Sequence, residues 1–356
     1  MTDDTTSPKI TWDLGTAYDL FVSLRVLHEP DKFDLRASWA AGVRSRLSPE
    51  HREILEIAQD VIHFPLAWIH SLPTPKDAGT ALRLLENLAP AERLPALVLS
   101  YAVDEPVADV LKTIAARGTW SESDREMLRS YHPAKAPLKS KSLSSILEAW
   151  SHPADFGEAY LQALQSFQSA FFAEEEGHIR GFLQDSISRA QTLFAHLSPA
   201  ELIEELSQGV RVAFLKDIQN IILTPSYWIS PLIVNEKLEP DCVLMLFGAR
   251  PKDISLVPGE AIPATMLRAL KAMADPTRLK ILRYLGERPY TPSQLARLLR
   301  LRAPTVIHHL NAMRLAGLVH LTLEGEGEKM YQARLEAVRE TFSSLNEFLE
   351  TGDEGE

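Results

Sequence analysis

Over the first 210 residues, apolar side chains recur at the spacing of a single helix face. Residues 12–27 carry Leu14, Ala17, Tyr18, Phe21, Val22 and Leu24 in such a stripe. A second helix is predicted to open at Ser48-Pro49, a hydroxyl N-cap followed by proline at the first helical position. Its apolar set runs from Ile54 through Leu55, Ile57, Ala58 and Val61 to Ile62. Further helices are predicted near 77–88, 91–102, 104–117, 121–131 and 142–150, with prolines between them. Residues 155–196 read as one long helix with a break expected at Gly177 or Gly181, and 199–207 as a short one. After Val210 the texture changes. Segments 218–223, 227–234 and 242–247 are β-branched and apolar, are separated by Thr224-Pro225 and by 235–241, and predict a small antiparallel sheet. Residues 249–263 hold three prolines and suit a linker.

A denser pattern occupies residues 266–332. A helix over 266–273 ends at Asp275-Pro276, which can cap and begin the next helix, over 277–285, ended by Gly286. Thr291-Pro292-Ser293-Gln294 is a capping-box sequence for a short helix to Leu299. After the tight connection 300–302, another helix runs over 303–316, with Gly317 as its C-cap. Two short helices joined by such a turn make a helix-turn-helix. Residues 318–323 and 329–334 flank a glycine-bearing turn and predict a β-hairpin, so the whole reads as a winged helix-turn-helix. A last helix over 335–349 has apolar residues along one side, which suits packing or dimerisation.

Charge sharpens this division. The net charge of −11 alone would argue against nucleic acid, but it is unevenly spread. Residues 1–263 hold 24 Lys/Arg against 36 Asp/Glu, whereas 264–323 hold 10 against 2. A basic block inside an acidic chain is the pattern of an appended nucleic-acid-binding module. The expected fold is therefore mainly α. Residues 1–250 form a helical sensing or assembly domain with a small sheet near 218–247, and 251–263 a linker. Residues 264–350 form a winged helix-turn-helix with a C-terminal dimerisation helix.

The stretches AMADPTRLKIL (272–282), SQLARL (293–298) and TVIHHLNAMRLAGLV (305–319) resemble the arsenic-repressor family of bacterial winged-helix transcription regulators. The resemblance covers about 70 residues. The preceding region, including AYDLFVSLRVLHEPDKF, resembles helical domains of unknown function found before such winged helices. The family resemblance implies a homodimer on a two-fold operator near a promoter, usually repressing until an inducer arrives. Two features depart from the family. The wing tip EGEGEK (324–329) is acidic where relatives usually carry arginine, and like charge near phosphate is repulsive. Metal-sensing members place cysteines at the position of 290–294, or histidine and acidic residues on the last helix; here 290–294 holds no cysteine and the last helix no histidine.

In a helix starting near Ala303, Val306, His309, Leu310 and Met313 share the face that must pack, and Pro304, Ile307, His308 and Asn311 the other. Arg302, Thr305, Ile307 and His308 are the expected base contacts: arginine reads guanine, threonine offers hydroxyl and methyl, and isoleucine can touch a thymine methyl. Thr291, Ser293, Arg297, Arg300, Arg314 and Lys329 are the expected phosphate contacts. His309 is expected to be a partly buried structural residue.

Other chemistry is poorly supported. Glu175 and His178 have the spacing of a carboxylate-bridged metal bundle, but such a site needs a second copy. There is no nucleophile elbow, metalloprotease helix, P-loop or dinucleotide fingerprint. The single cysteine, Cys242, rules out an intramolecular disulfide and lies in an expected strand. All 6 tryptophans lie at or before Trp228, where they either fill a core or line an apolar ligand pocket. The N-terminus lacks a secretory signal core, no apolar run approaches a membrane span, and a cytoplasmic protein is expected. No enzyme activity, metal or cofactor is expected. The expected partners are double-stranded DNA, a second copy of the chain and an unidentified small-molecule inducer, with no membrane. Alternatives are a winged-helix protein-interaction module, or an enzyme domain fused to a DNA anchor.

Overall fold

The computed structural model describes residues 7–350 except 34, 36, 132–139, 213, 214, 216, 231, 252–262 and 324–328. The expected linker and the acidic wing tip fall almost wholly outside the described residues. A first strand, β1 (Lys9–Trp12), leads into α1 (Thr16–His28), α2 (Ala37–Arg44), α3 (Pro49–Val61), α4 (Leu66–His70), α5 (Ala78–Asn87) and α6 (Pro90–Val98). These are followed by α7 (Glu105–Arg117), α8 (Glu122–Tyr131), α9 (Ser140–Ser151), α10 (Pro153–Phe167), α11 (Ala173–Phe194) and α12 (Pro199–Leu206). Local chemistry fixes several starts. Ser48 accepts from the His51 amide at 3.2 Å, Asp77 from the Thr80 amide at 2.7 Å, and Ser198 and Glu201 form a reciprocal capping box. At the close crossing of α6 and α10, a Cβ on Gly157 would lie 2.2 Å from the Pro90 carbonyl oxygen, so only glycine fits there.

The long helical stretch does break, but not at its glycines. Gly177 and Gly181 sit inside α11 with nothing near their would-be Cβ atoms. The interruption is a π-turn at Gln168–Phe172, whose wider turn buries Phe171 and Phe172 together. Phe171 meets Trp39 and Trp228 there, with ring centroids 5.9 and 5.8 Å away, and Trp39 stacks on Trp228 at 5.3 Å. Trp150 and Trp228 are fully buried.

The strands are β2 (Val210–Val212), β3 (Asn220–Ser226), β4 (Ile233–Glu239) and β5 (Cys242–Gly248). The first sheet has the order β1-β3-β5-β4 and is mixed, not antiparallel: β1, β3 and β5 run parallel, and only β4 opposes β5. The cause is visible in β5, which is apolar at every position from Val243 to Phe247, the pattern of a strand covered on both faces. Leu244 and Leu246 face the main helical core. Val243, Met245 and Phe247 pack with Leu202 and Ile203 of α12 in a second core. The expected break at Thr224-Pro225 does not occur. Leu223 turns its carbonyl to Asp13, just past β1, so the Pro225 nitrogen, two residues on, faces the side where β1 has already ended. No ladder bond is lost.

One buried carboxylate is a cost. Asp19 accepts from the Ser226 hydroxyl at 2.7 Å and the Trp228 amide at 3.0 Å, while its other oxygen has no partner among the described residues. Burial pushes its carboxyl up to about 6, against the pull of those hydrogen bonds. An unfolded aspartate titrates near ~3.9, so between these values the folded chain holds the extra proton and stability rises as pH falls. Asp19→Asn is expected to raise the urea midpoint at pH 7 and to lose that advantage near pH 4. A lower midpoint at pH 7 would show that the charge itself is required.

The C-terminal part comprises α13 (Ala264–Met273), α14 (Pro276–Glu287), α15 (Pro292–Leu299), α16 (Ala303–Leu315), β6 (Val319–Leu323), β7 (Met330–Ala333) and α17 (Leu335–Glu350). Ile281, Leu285, Leu295, Val306, Leu310 and Met313 form the centre of its own core and are fully buried. Helix α14 runs through Gly286 to Glu287, one residue beyond the expected stop. The wing has three strands, not two. β2 pairs in parallel with β6, Val210 opposite Leu321 and Val212 opposite Leu323, giving the order β2-β6-β7.

Candidate nucleic-acid interface

The capping box expected at Thr291 forms: its hydroxyl accepts from the Gln294 amide at 3.3 Å, and the Gln294 side chain accepts from the Thr291 amide at 3.0 Å. Helix α15 ends at Arg300, whose left-handed backbone (φ 55°) turns the chain sharply. Arg302 then N-caps α16 through its backbone alone, leaving the guanidinium outside the cap, and Pro304 occupies the first turn. At the far end Gly317, with φ 68°, takes the left-handed position that lets the chain turn into β6.

Helix α16 divides cleanly. Val306, Leu310 and Met313 have no exposure, while Arg302, Thr305, Ile307 and His308 are all exposed on the outer side. Ile307 is 43% exposed, which a lone apolar residue on a free helix face tolerates but does not need. Asn311 shares this outer face, one turn after Ile307 and His308. It is an addition to the expected base contacts, since asparagine can pair bidentately with adenine. The spacing alone could have indicated it. His309 lies mostly buried, 3.9 Å from Asp275 Oδ1, and burial lowers its pKa so that it is neutral at pH 7.

Of the expected phosphate contacts, Ser293, Arg297, Arg300 and Lys329 are exposed. Two need correction. Thr291 is buried and its oxygen is committed to the cap. Arg314 is only 6% exposed and donates at 3.0 Å to the Ser207 carbonyl at the end of α12. It staples the winged helix to the preceding segment. Burial, and secondarily the charge of Arg334, lowers its pKa to about 10, so it stays protonated at neutral pH. Arg334 works beside it, donating to the carbonyls of Gln208 at 3.0 Å and Gly317 at 3.1 Å. His320 of β6 is held between Glu204 and Glu336 at 3.1 and 3.4 Å. From sequence, an arginine near the end of a basic helix looks like a phosphate contact; the carbonyl that receives it lies 107 residues away.

Arg314→Met is expected to cost roughly 1–3 kcal/mol in urea unfolding, because a buried carbonyl loses its charged donor. The salt dependence of DNA binding should stay unchanged. A salt slope reduced by about one, with stability intact, would return Arg314 to the phosphate contacts.

The family model for bacterial regulatory proteins of the arsR family matches residues 275–320, which span α14, the helix-turn-helix and the start of β6. The C-terminal part of the chain is an arsR-family winged helix-turn-helix. An ArsR-like transcriptional regulator from Rhodococcus sp. RHA1 is 29% identical over 24% of this chain and 79% of that one, with a TM-score of 0.22. The homodimeric winged helix-turn-helix domain of a possible ArsR-family regulator from Mycobacterium bovis is 21% identical over 29% of this chain and 96% of that one, also with a TM-score of 0.22. No curated protein sequence matches the chain. The matched residues hold the two helices of the helix-turn-helix, α15 and α16. Elsewhere, among the described residues, no helix is long and apolar enough to cross a membrane.

Two further groups of the N-terminal part can be placed. Glu176, next to the Glu175 and His178 pair, accepts from the Thr16 hydroxyl and the Ala78 amide and so ties α11 to α1 and α5. Cys242 is half-buried at the start of β5, and burial raises its thiol pKa, which keeps it a poor nucleophile.

Proposed function

We propose that the chain is a sequence-specific transcription regulator, a repressor in the usual manner of its family, that binds a two-fold operator as a homodimer. Residues 1–250 act as its sensing or assembly unit, 251–263 as a linker and 264–350 as the winged helix-turn-helix. The observation that carries this reading is the outer face of α16, where Arg302, Thr305, Ile307 and His308 stand exposed over a fully buried apolar face. A recognition helix needs that division, because one side must pack while the other enters the major groove. Ser293, Arg297, Arg300 and Lys329 supply donors and charge for the phosphates beside it.

Arg302→Ala is expected to weaken binding to the selected operator by about 1–3 kcal/mol, roughly 5- to 150-fold, with little change on random DNA. Fluorescence anisotropy on both duplexes at one salt concentration measures this. Equal losses on both would demote Arg302 to a phosphate contact.

The wing also has a place in regulation. β2 belongs to the segment that follows α12, so any shift of that helix is carried into the wing through the β2–β6 ladder and the Arg314 and Arg334 bonds. That gives the N-terminal unit a mechanical route to the DNA-binding part.

A further inference from the structure

A cavity of about 640 Å3 opens among the ends of α3 and α6, helices α7, α8 and α9, and the edge strand β4. Its walls are mostly apolar, with Val107, Leu111, Leu128, Leu143, Ile146 and Trp150 prominent. Its volume lies within the ~300–1,000 Å3 of sites that enclose a drug-sized molecule. The cavity is open to solvent on one side, which leaves a small molecule a way in.

The polar groups define that occupant's charge. Three carboxylates line the cavity: Asp60, Asp104 and Glu236. Lys237 is the one lining side chain, among the described residues, that is positive at neutral pH, because burial and nearby Arg25 hold the His63 imidazole neutral. Glu236 is fixed in place: its two oxygens accept from the Ser100 hydroxyl at 2.5 Å and from the Ala67 amide at 3.2 Å. Burial raises its carboxyl, and the bonds from Ser100, Ala67 and Leu66 work against that rise. Asp104 is exposed at the start of α7 and caps nothing with its side chain. With three carboxylates against one lysine, this lining attracts a cation and repels an anion.

We propose that this cavity binds a lipophilic organic cation, an aromatic or alkyl body of drug size bearing one ammonium or phosphonium centre, which Glu236 and Asp104 neutralise while Val107, Tyr131 and the other apolar walls hold its body. The ligand class follows from the cavity alone; its effect on DNA rests on residues 1–250 being the sensing unit. Tetraphenylphosphonium and tetraphenylborate are a matched pair of nearly the same shape and opposite charge. Calorimetric titration of the full chain should show the phosphonium binding at least tenfold more tightly than the borate. Glu236→Gln and, independently, the exposed Asp104→Asn should each lower phosphonium affinity severalfold and narrow the gap. Val107→Trp, which fills the space from α7, should abolish binding without lowering the melting temperature.

The proposal is overturned if the borate binds as well or better, if a cooperatively melting chain binds neither ion, or if Val107→Trp leaves phosphonium binding intact. Phosphonium that binds as expected but leaves operator affinity unchanged would uphold the ligand class and refute the sensing role.

Discussion

Phe342→Glu is expected to turn the proposed dimer into monomers and to weaken operator binding about 10²- to 10⁴-fold, the range by which linking two binding events raises affinity. Helix α17 carries Leu335, Val338, Phe342, Leu345 and Leu349 at alternating steps of three and four, the seam of a paired helix. Val338 packs against the C-terminal core, but Leu335, Phe342 and Leu349 are 46%, 50% and 68% exposed among the described residues. Covering a stripe of this kind with its own copy yields a two-fold pair, and a two-fold pair presents two copies of α16 to two half-sites. A glutamate at Phe342 would place two like charges in a dry seam. Sedimentation velocity and anisotropy on the operator measure the two consequences together. A variant that remains dimeric would show that dimerisation uses another surface.

Asp13→Asn carries the largest expected loss of stability, about 3–5 kcal/mol, the usual effect of leaving one member of a buried ion pair uncompensated. Asp13 Oδ2 accepts from the Tyr18 hydroxyl at 2.7 Å, His70 Nδ1 at 2.8 Å and Lys76 Nζ at 2.5 Å, joining the end of β1 to α1, α4 and the approach to α5. The Asp13 and Lys76 side chains are 13% and 10% exposed, so solvent screens this pair little. Burial alone would raise the Asp13 carboxyl, but the bonds from His70, Lys76 and Tyr18 overcome it and hold the group well below the ordinary carboxylate range. The folded value therefore lies below the unfolded one. The stabilisation is fully present above about pH 4 and erodes as pH falls below it. The deficit of the variant should accordingly be large at pH 7 and shrink in acid. Adding Lys76→Met to Asp13→Asn should recover part of the loss by removing the stranded charge. No recovery would mean that the hydrogen bonds, and not the charge on Lys76, dominate.

Local signals were legible in the sequence. Ser48, Thr291 and Asp275 cap the helices that their hydroxyl or carboxylate followed by proline predicted, and the division of α16 into buried and exposed faces follows from its period. What was hidden depends on contacts far apart in the chain. β2 is only three residues long, and nothing in Val210–Val212 announces a partner beyond residue 320. β1 is hidden in the same way, since the helical stripe begins as early as Leu14, whereas Lys9–Trp12 finds its ladder beside Asn220–Leu223. Arg314 has the same origin, since its type and position fit a phosphate contact until Ser207 is placed against it. The unbroken apolar run of β5 did carry the information that the sheet is parallel at its centre. Short spacers suit an antiparallel sheet, but a strand with no polar face outweighs them.

The acidic balance of the chain also has a definite location. The basic surplus coincides with α13 to α16, so the net charge of −11 does not oppose DNA binding at the proposed interface. An acidic bulk beside a basic reading head should suppress weak binding to random duplex, which depends on total charge.

Selection of bound fragments from genomic DNA, performed in parallel with the full chain and its Arg302→Ala and His308→Ala variants, tests the central claim most directly. The account predicts a two-fold sequence whose half-sites are about one helical turn apart, enriched by the full chain, with preference relaxed at one or two base pairs in each variant. Enrichment of no two-fold sequence, or identical preferences for all three proteins, would contradict it.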